Sequence, residues 1–126
     1  MDEKTFLDLL SYIKKSKNLD LKCLSVHIGS QILNNQPYSK MLSVINKVIK
    51  KAKHKFEYID LGGGIGIDYL HNKNKFNLKK YSLDIQKFLK KNNSKIIFEL
   101  GRSIIGKTAI LVSKIIYIKK GYKKDF

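Results

Sequence analysis

The sequence predicts an α/β fold with a parallel sheet. Helical and strand-like apolar patterns alternate along the chain in the order α, β, α, β, α, β, followed by a long β-type segment. Alternation of this kind implies parallel strands joined by helical crossovers, and connections this short require right-handed crossovers. With 126 residues the chain is long enough for one modest domain with its own apolar core.

Apolar residues at helical spacing predict three amphipathic helices, the first over residues 3–16. The second ends in lysines near residue 51, and the third follows the polar loop at 71–77. The residues predicted for their buried faces are Phe6, Leu9, Leu10 and Ile13 in the first helix, Met41, Leu42, Ile45, Val48 and Ile49 in the second, and Leu78, Tyr81, Leu83, Ile85, Phe88 and Leu89 in the third.

Short apolar runs predict strands at residues 21–28, 56–61 and 95–100. The final stretch, residues 108–122, is longer, rich in β-branched residues and partly alternating, so we expect a strand there rather than a helix. The lone Cys23 cannot form an internal disulfide and has no metal-ligand spacing, which predicts a small buried residue on the first strand.

The net charge of +16 is compatible with a nucleic-acid surface. However, of the 26 basic residues only Arg102 is arginine. Proteins that bind nucleic acids usually use arginine for bidentate contacts to guanine and phosphate. The lysines occur as scattered pairs, which is typical of solvated faces. We therefore do not expect a nucleic-acid partner, although a basic nucleic-acid-binding domain stays an alternative hypothesis.

No apolar run approaches the roughly 18 to 20 residues that a membrane span needs. The first ten residues, MDEKTFLDLL, lack the basic start and apolar core of a signal peptide. The expected location is therefore the cytoplasm, with no membrane partner.

Four of the eight glycines lie within residues 62–66, directly behind a short apolar strand, in the stretch YIDLGGGIGIDY. Such a loop offers backbone N–H groups that no Cβ obstructs, which suits a phosphate. The spacing is neither that of a P-loop nor that of a dinucleotide fingerprint. From these residues alone, an anion site, a tight structural turn and other uses all stay open.

Two further polar motifs stand at strand ends. HIGSQ, residues 27–31, places an imidazole and a hydroxyl after the first strand, where His27 is either a structural residue or a stacking or acid/base group. Ser30 is either a phosphate donor or a turn cap. FELGRSI, residues 98–104, places Glu99 and Arg102 around a glycine turn, either as a surface ion pair or as groups that bind an ionic ligand.

These motifs recur once per βα unit. Gly62 follows His27 by 35 residues, and Glu99 follows Gly62 by 37. The carboxyl ends of parallel strands lie on one face of an α/β sheet or barrel, where active sites are built. The sequence therefore predicts that the three motifs converge on one site.

In order and spacing, SVHIGSQI, YIDLGGGIGIDY and FELGRSIIGKTAILVSKIIYIKKG resemble the diaminopimelate decarboxylases, the last enzymes of lysine biosynthesis. These alanine-racemase-like (fold-type III) pyridoxal-phosphate enzymes have a (β/α)8 barrel followed by a β domain. The resemblance implies an incomplete barrel of about three and a half βα units at residues 1–105, and the start of the C-terminal β domain at 106–126. An ornithine- or arginine-type decarboxylase, or a non-catalytic cofactor-binding remnant, is the alternative.

The resemblance also implies roles for individual residues. His27 would stack on the pyridine ring of pyridoxal 5′-phosphate, and Glu99 would pair with the ring nitrogen, so these two are the catalytic candidates. Arg102 would lie near the phosphate and help to hold a substrate carboxylate. The implied cofactor-binding residues are His27, Ser30, Gly62, Gly63, Gly64, Glu99, Gly101 and Arg102, and no metal site is implied.

The sequence departs from the family in two respects. Leu100 stands where the family's Glu-Pro-Gly-Arg motif has proline. No segment resembling the family's Schiff-base lysine motif occurs in these 126 residues. The cysteine and substrate-reading residues of the β domain, which complete the site across a homodimer, would lie beyond Phe126. We therefore expect weak cofactor affinity and no decarboxylation from this chain alone.

Overall fold

The protein is described by a computed structural model that covers residues 1–70 and 76–124. The elements are α1 (Glu3–Lys15), β1 (Cys23–Ser25), α2 (Gln36–Ala52), β2 (Tyr58–Asp60), α3 (Leu78–Asn92), β3 (Lys95–Ile97) and α4 (Arg102–Ile105). The strands form one parallel sheet in the order β1-β2-β3, in which Ile59 lies between Leu24 and Ile96. The predicted α/β class and parallel sheet are confirmed, whereas the number of βα units in a barrel stays a prediction.

The strands are shorter than predicted, at three residues each. Backbone hydrogen bonding nevertheless continues past their ends. The N–H of Val26 donates to the Asp60 carbonyl at 2.9 Å, and the N–H of Glu99 donates to the Gly62 carbonyl at 2.9 Å. The backbone therefore stays paired beyond the ends of the regular strands, over residues that the sequence predicted as strand.

The helix boundaries follow from capping. The Asp2 carboxylate accepts hydrogen bonds from the Thr5 hydroxyl (2.6 Å) and the Thr5 N–H (2.9 Å), and these bonds lower the Asp2 pKa. Asn77 caps α3 through the Lys80 N–H at 2.9 Å. Lys53 and Asn93 cap the carboxyl ends of α2 and α3, and both adopt the left-handed conformation with φ of 46°, a common way to end a helix.

The core lies between the sheet and helices α2 and α3. Its buried residues are Leu24, Tyr38, Met41, Leu42, Ile45, Phe56, Ile59, Leu61, Ile65, Tyr81 and Phe88. The predicted apolar faces are largely buried or half-buried, but Leu9, Leu78 and Leu83 are exposed. Leu83 lies two residues after Tyr81, about 200° around the helix, so it cannot share the buried side. Cys23 is half-buried on β1 rather than fully buried.

The strand predicted at residues 108–122 does not form. Its apolar side chains are exposed, with Leu111 at 95% and Ile116 at 91%. Residues with high β propensity form a strand only where a neighbouring strand supplies hydrogen bonds. No strand in the described ranges 1–70 and 76–124 pairs with this segment. The assignment of residues 106–126 to a second domain stays a prediction. Among the described helices, none is both long and apolar enough to cross a membrane.

Candidate functional site

Three loops meet at the carboxyl edge of the sheet, one after each strand. The parallel register aligns Ser25, Asp60 and Ile97 as the last residues of β1, β2 and β3. The loops that follow begin at Val26, Leu61 and Phe98 and carry the histidine, glycine and Glu-x-x-Arg motifs. The predicted juxtaposition of these three motifs is therefore present in the fold.

The glycines allow the three loops to approach closely. A Cβ on Gly62, whose φ is +62°, would lie 2.8 Å from the Val26 carbonyl oxygen and 2.9 Å from Nδ1 of His27. A Cβ on Gly63 would overlap the Glu99 carbonyl, and one on Gly64 would overlap the Gly29 carbonyl. Neighbouring backbone thus accounts for the absence of side chains at these positions.

Asp60 fixes the start of the glycine loop. Its carboxylate is buried, and its Oδ1 accepts a hydrogen bond from the Gly62 N–H at 2.8 Å. Its Oδ2 accepts one from the Ser25 hydroxyl at 3.1 Å, which ties β2 to β1. The Gly62 N–H is therefore engaged within the chain, so one of the three glycine amides predicted to bind phosphate already has a partner.

Tyr38 contacts the middle of the glycine loop from the side of the buried core. Its side chain is fully buried, and its hydroxyl donates to the Gly63 carbonyl at 2.9 Å. The ring packs 4.9 Å from Tyr81 and 5.2 Å from Phe76, measured between centroids. Burial raises the pKa of Tyr38 to about 12, so the hydroxyl keeps its proton and stays a donor.

The next two glycine amides of the loop differ from that of Gly62. Within the part of the chain that the structure describes, neither the Gly63 N–H nor the Gly64 N–H has a hydrogen-bond acceptor. Gly63 is buried and Gly64 half-buried. An unpaired buried N–H is rare in folded proteins and usually has water or a ligand as its partner. These two donors can bind an anion.

The other predicted residues surround the loop at the surface. His27 and Ser30 are exposed after β1, and Glu99 is exposed after β3, where its backbone N–H binds the Gly62 carbonyl. In residues 1–70 and 76–124 the Glu99 carboxylate has neither a hydrogen bond nor an ion pair. The surface ion pair between Glu99 and Arg102, one of the two sequence interpretations, is thus not formed.

Arg102 is the first residue of α4, a short helix that the sequence pattern did not predict. It is exposed, and its Nη1 donates to Oε1 of Gln31 at 3.3 Å. Gly101 caps this helix, and a Cβ there would meet no atom within 4 Å. Arg102 is therefore directed toward the loop after β1, and Gly101 is not required by steric crowding.

Three residues that the sequence did not predict for the site contact it in the structure: Asp60, Tyr38 and Gln31. Asp60 stands inside the motif YIDLGGG, and a carboxylate two residues before a glycine turn could have been read as a side chain that binds the turn's N–H. No sequence pattern indicated a role for Tyr38, because its hydroxyl contacts a loop residue 25 positions further along the chain.

The chain matches the family described as pyridoxal-dependent decarboxylase, pyridoxal binding domain, over residues 2–106. It is 35% identical to the diaminopimelate decarboxylase of Bacteroides thetaiotaomicron, over 87% of the chain and 30% of that protein. The structure of diaminopimelate decarboxylase from Helicobacter pylori complexed with L-lysine matches with a TM-score of 0.80 at 31% identity, over 94% of this chain and 30% of that one.

A biosynthetic arginine decarboxylase from Campylobacter jejuni also matches, with a TM-score of 0.65 at 23% identity, over 81% of this chain and 20% of that one; it shows the fold alone. The chain thus spans about a third of the length of its relatives or less.

Proposed function

This chain belongs to the pyridoxal-dependent decarboxylase family, matching its pyridoxal-binding domain, and we propose that its glycine loop binds the phosphate of pyridoxal 5′-phosphate. The observation that carries the proposal is the pair of unpaired N–H groups of Gly63 and Gly64 in this loop. Backbone amides at the end of a parallel strand are a recurrent phosphate ligand.

The surrounding residues fit the rest of such a cofactor. The exposed His27 is placed beside Gly62, where an imidazole can stack on a pyridine ring. The unpaired Glu99 carboxylate can accept a hydrogen bond from a protonated ring nitrogen. The exposed guanidinium of Arg102 supplies a positive charge for the phosphate or a substrate carboxylate. Ser30 and Gly101 complete the proposed cofactor-binding set.

We further propose that the full reaction is decarboxylation of meso-2,6-diaminoheptanedioate to L-lysine. When bound, pyridoxal phosphate supplies an electron sink for the carbanion left by CO2. The residues of this chain would hold the phosphate, orient the ring and keep its nitrogen protonated. We expect activity and homodimer formation only of a full-length protein, and from these 126 residues alone we expect weak cofactor binding and no decarboxylation.

Ligand binding can be tested by ¹H–¹⁵N NMR on the 126-residue chain. Pyridoxamine 5′-phosphate is the appropriate probe, because it has no aldehyde to react with the abundant surface lysines. We expect saturable shifts that are largest at the Gly63 and Gly64 amides. Unphosphorylated pyridoxamine should leave these two amides unshifted. Shifts spread over lysine-rich helix ends, and equal for inorganic phosphate, would instead indicate nonspecific charge binding and would contradict the proposal.

Substitutions at and away from the glycine loop provide a second test of phosphate binding. Gly63→Ala places a Cβ against the Glu99 backbone, which displaces the loop amides, and we expect about tenfold weaker binding from the loss of charge-assisted hydrogen bonds. Gly121→Ala, at an exposed glycine outside the site, is the matched control and should bind like the wild type. If Gly63→Ala does not fold, Arg102→Gln removes an exposed positive charge without crowding the core and should also weaken binding.

The arginine- and ornithine-type alternative differs in substrate rather than in this cofactor loop. The higher identity to diaminopimelate decarboxylases, 35% against 23% for the arginine decarboxylase, favours the diaminopimelate branch. Turnover of the full-length enzyme on meso-2,6-diaminoheptanedioate, ornithine and arginine would distinguish the substrates.

A further inference from the structure

Gln31 has an unusual backbone conformation for its position. Its φ is +61°, in the left-handed region that favours glycine. The other described non-glycine residues with positive φ, Lys53 and Asn93, end helices, where this conformation is common. Gln31 ends no helix and lies in the loop between β1 and α2. A strained conformation of this kind persists only where surrounding contacts impose it.

The contacts that impose it are made by the side-chain amide. Nε2 of Gln31 donates to the Ile67 carbonyl at 2.6 Å, and Oε1 accepts from the Ile67 N–H at 3.2 Å. Both ends of the amide therefore pair with the backbone of one residue, just beyond the glycine loop. A Cβ on Gly66 would lie 3.0 Å or less from three atoms of Gln31, two of the backbone and the side-chain Oε1, so the fourth glycine of the motif makes room for Gln31.

The same oxygen also reaches the proposed ligand-binding arginine. Nη1 of Arg102 donates to Oε1 of Gln31 at 3.3 Å, across 71 residues of sequence. Arg102 is otherwise exposed, and a free arginine side chain samples many rotamers that binding must restrict. One donor of the guanidinium is used by Gln31, which leaves others for an anionic group.

We infer that Gln31 is a positioning residue that holds the Arg102 guanidinium in place for the anionic group of the bound ligand. The inference rests on the proposed function, because it assumes that Arg102 contacts the phosphate or a carboxylate. Gln31 joins three parts of the site: the loop after β1, the exit of the glycine loop at Ile67, and the start of α4. The two hydrogen bonds to Ile67 hold its amide between them.

The test uses the fact that Arg102 is the only arginine in the sequence, so its side-chain Nε–H gives a single NMR signal. In the wild type without ligand we expect a positive ¹H–¹⁵N NOE at this signal, which indicates an ordered side chain. Gln31→Gly accepts the backbone conformation without strain but lacks the amide. We expect this variant to fold, to lose the order at Arg102, and to bind pyridoxamine 5′-phosphate about fivefold more weakly.

Two further variants separate positioning from a structural effect. Gln31→Glu keeps an acceptor for Arg102 and should retain the ordered Nε–H signal, even though it loses the donor to Ile67. Lys53→Gly relieves a comparable left-handed backbone at the end of α2, away from Arg102, and should leave both the signal and the affinity unchanged.

The outcomes distinguish the two proposals. If Gln31→Gly leaves Arg102 ordered, or disorders it without changing the affinity, the positioning role is overturned while the proposed function stands. If the wild type itself does not bind pyridoxamine 5′-phosphate, the proposed function fails and takes the ligand-directed role of Gln31 with it. Loss of order together with weaker binding in Gln31→Gly, and rescue of order in Gln31→Glu, supports the inference.

Discussion

Asp60 illustrates how a single residue shapes this site. Its buried carboxylate accepts hydrogen bonds from the Gly62 N–H and from the Ser25 hydroxyl, and so joins the end of β2 to the glycine loop and to β1. Among the described residues, the N–H groups of Gly63 and Gly64 have no acceptor. Asp60 thus removes the Gly62 amide from the donors that the glycine loop can offer.

Replacing Asp60 with alanine should lower the free energy of unfolding by about 1–3 kcal/mol, because it leaves a buried N–H without its acceptor. Urea unfolding followed by circular dichroism measures the change. Asp20→Ala is the matched control: among the described residues the exposed Asp20 pairs only with Lys22, so about 0.5 kcal/mol or less is expected. Similar losses in both variants would show that the Asp60 contacts add no stability.

At the level of elements, an aromatic cluster joins α2 and α3 beneath the glycine loop. Tyr38 of α2 and Tyr81 of α3 lie 4.9 Å apart between ring centroids, and Phe98, after β3, lies 6.2 Å from Tyr81. Burial raises the pKa of both tyrosines to about 12, with a smaller contribution at Tyr81 from Tyr38. The cluster is therefore stable while both phenols stay protonated.

We expect this cluster to make stability fall at alkaline pH. An unfolded tyrosine loses its proton near pH 10, while the folded protein holds it until about pH 12, so the folded state binds more protons between these values. The stability contributed below pH 10 is therefore lost as the pH rises from 10 to 12. Urea midpoints measured across this range should decline for the wild type.

The double variant Tyr38→Phe/Tyr81→Phe is the control for this slope, since it keeps both rings and removes both ionisable groups. Its urea midpoint should decline less steeply between pH 10 and 12, although it starts lower because the hydrogen bond to the Gly63 carbonyl is lost. Identical slopes in the two proteins would assign the alkaline loss to other groups, such as the lysines.

At the scale of the whole molecule, the sheet and residues 109–123 differ in backbone hydrogen bonding. β2 has a partner on each side, whereas β1 and β3 form the edges of the described sheet. An apolar cavity of about 580 Å³ lies beside β1 and is lined by residues of α1, β1 and α2. Residues 109–123 are exposed and, among the described residues, make no backbone hydrogen bond. Backbone pairing is thus greatest at β2 and absent, among the described residues, at 109–123.

Hydrogen exchange measured by mass spectrometry should report this gradient. We expect peptides from residues 109–123 to exchange fully at the earliest time points, because their amides have no acceptor. Peptides from the centre of α2 should be the most protected, because their amides are paired within a helix that packs on the core. Protection in 109–123 comparable to that of α2 would mean that this segment is paired in solution.

The sequence predicted the helices better than the strands. Helical spacing is a local property, so Met41, Leu42 and Ile45 identified the buried face of α2 without knowledge of its neighbours. The segment at 108–122 has strand composition, yet no strand forms there, because a strand depends on a partner that local composition does not supply. Leu83 was wrongly predicted to be buried for a different, local reason: its angular position on α3, about 200° from Tyr81, places it on the exposed side.

The sequence by itself determined the α/β order, the parallel sheet and the spacing of one motif per βα unit, which brings His27, the glycines and Glu99 together. Periodicity and the order of elements can be read along the chain without knowledge of any tertiary contact. Only the tertiary structure decided what the glycines contact. Gly62, Gly63 and Gly64 give room to neighbouring loop backbone, Gly66 gives room to Gln31, and Asp60 occupies the Gly62 amide. The contacts of the four glycines join residues from separate βα units, and their geometry exists only once the strands have paired.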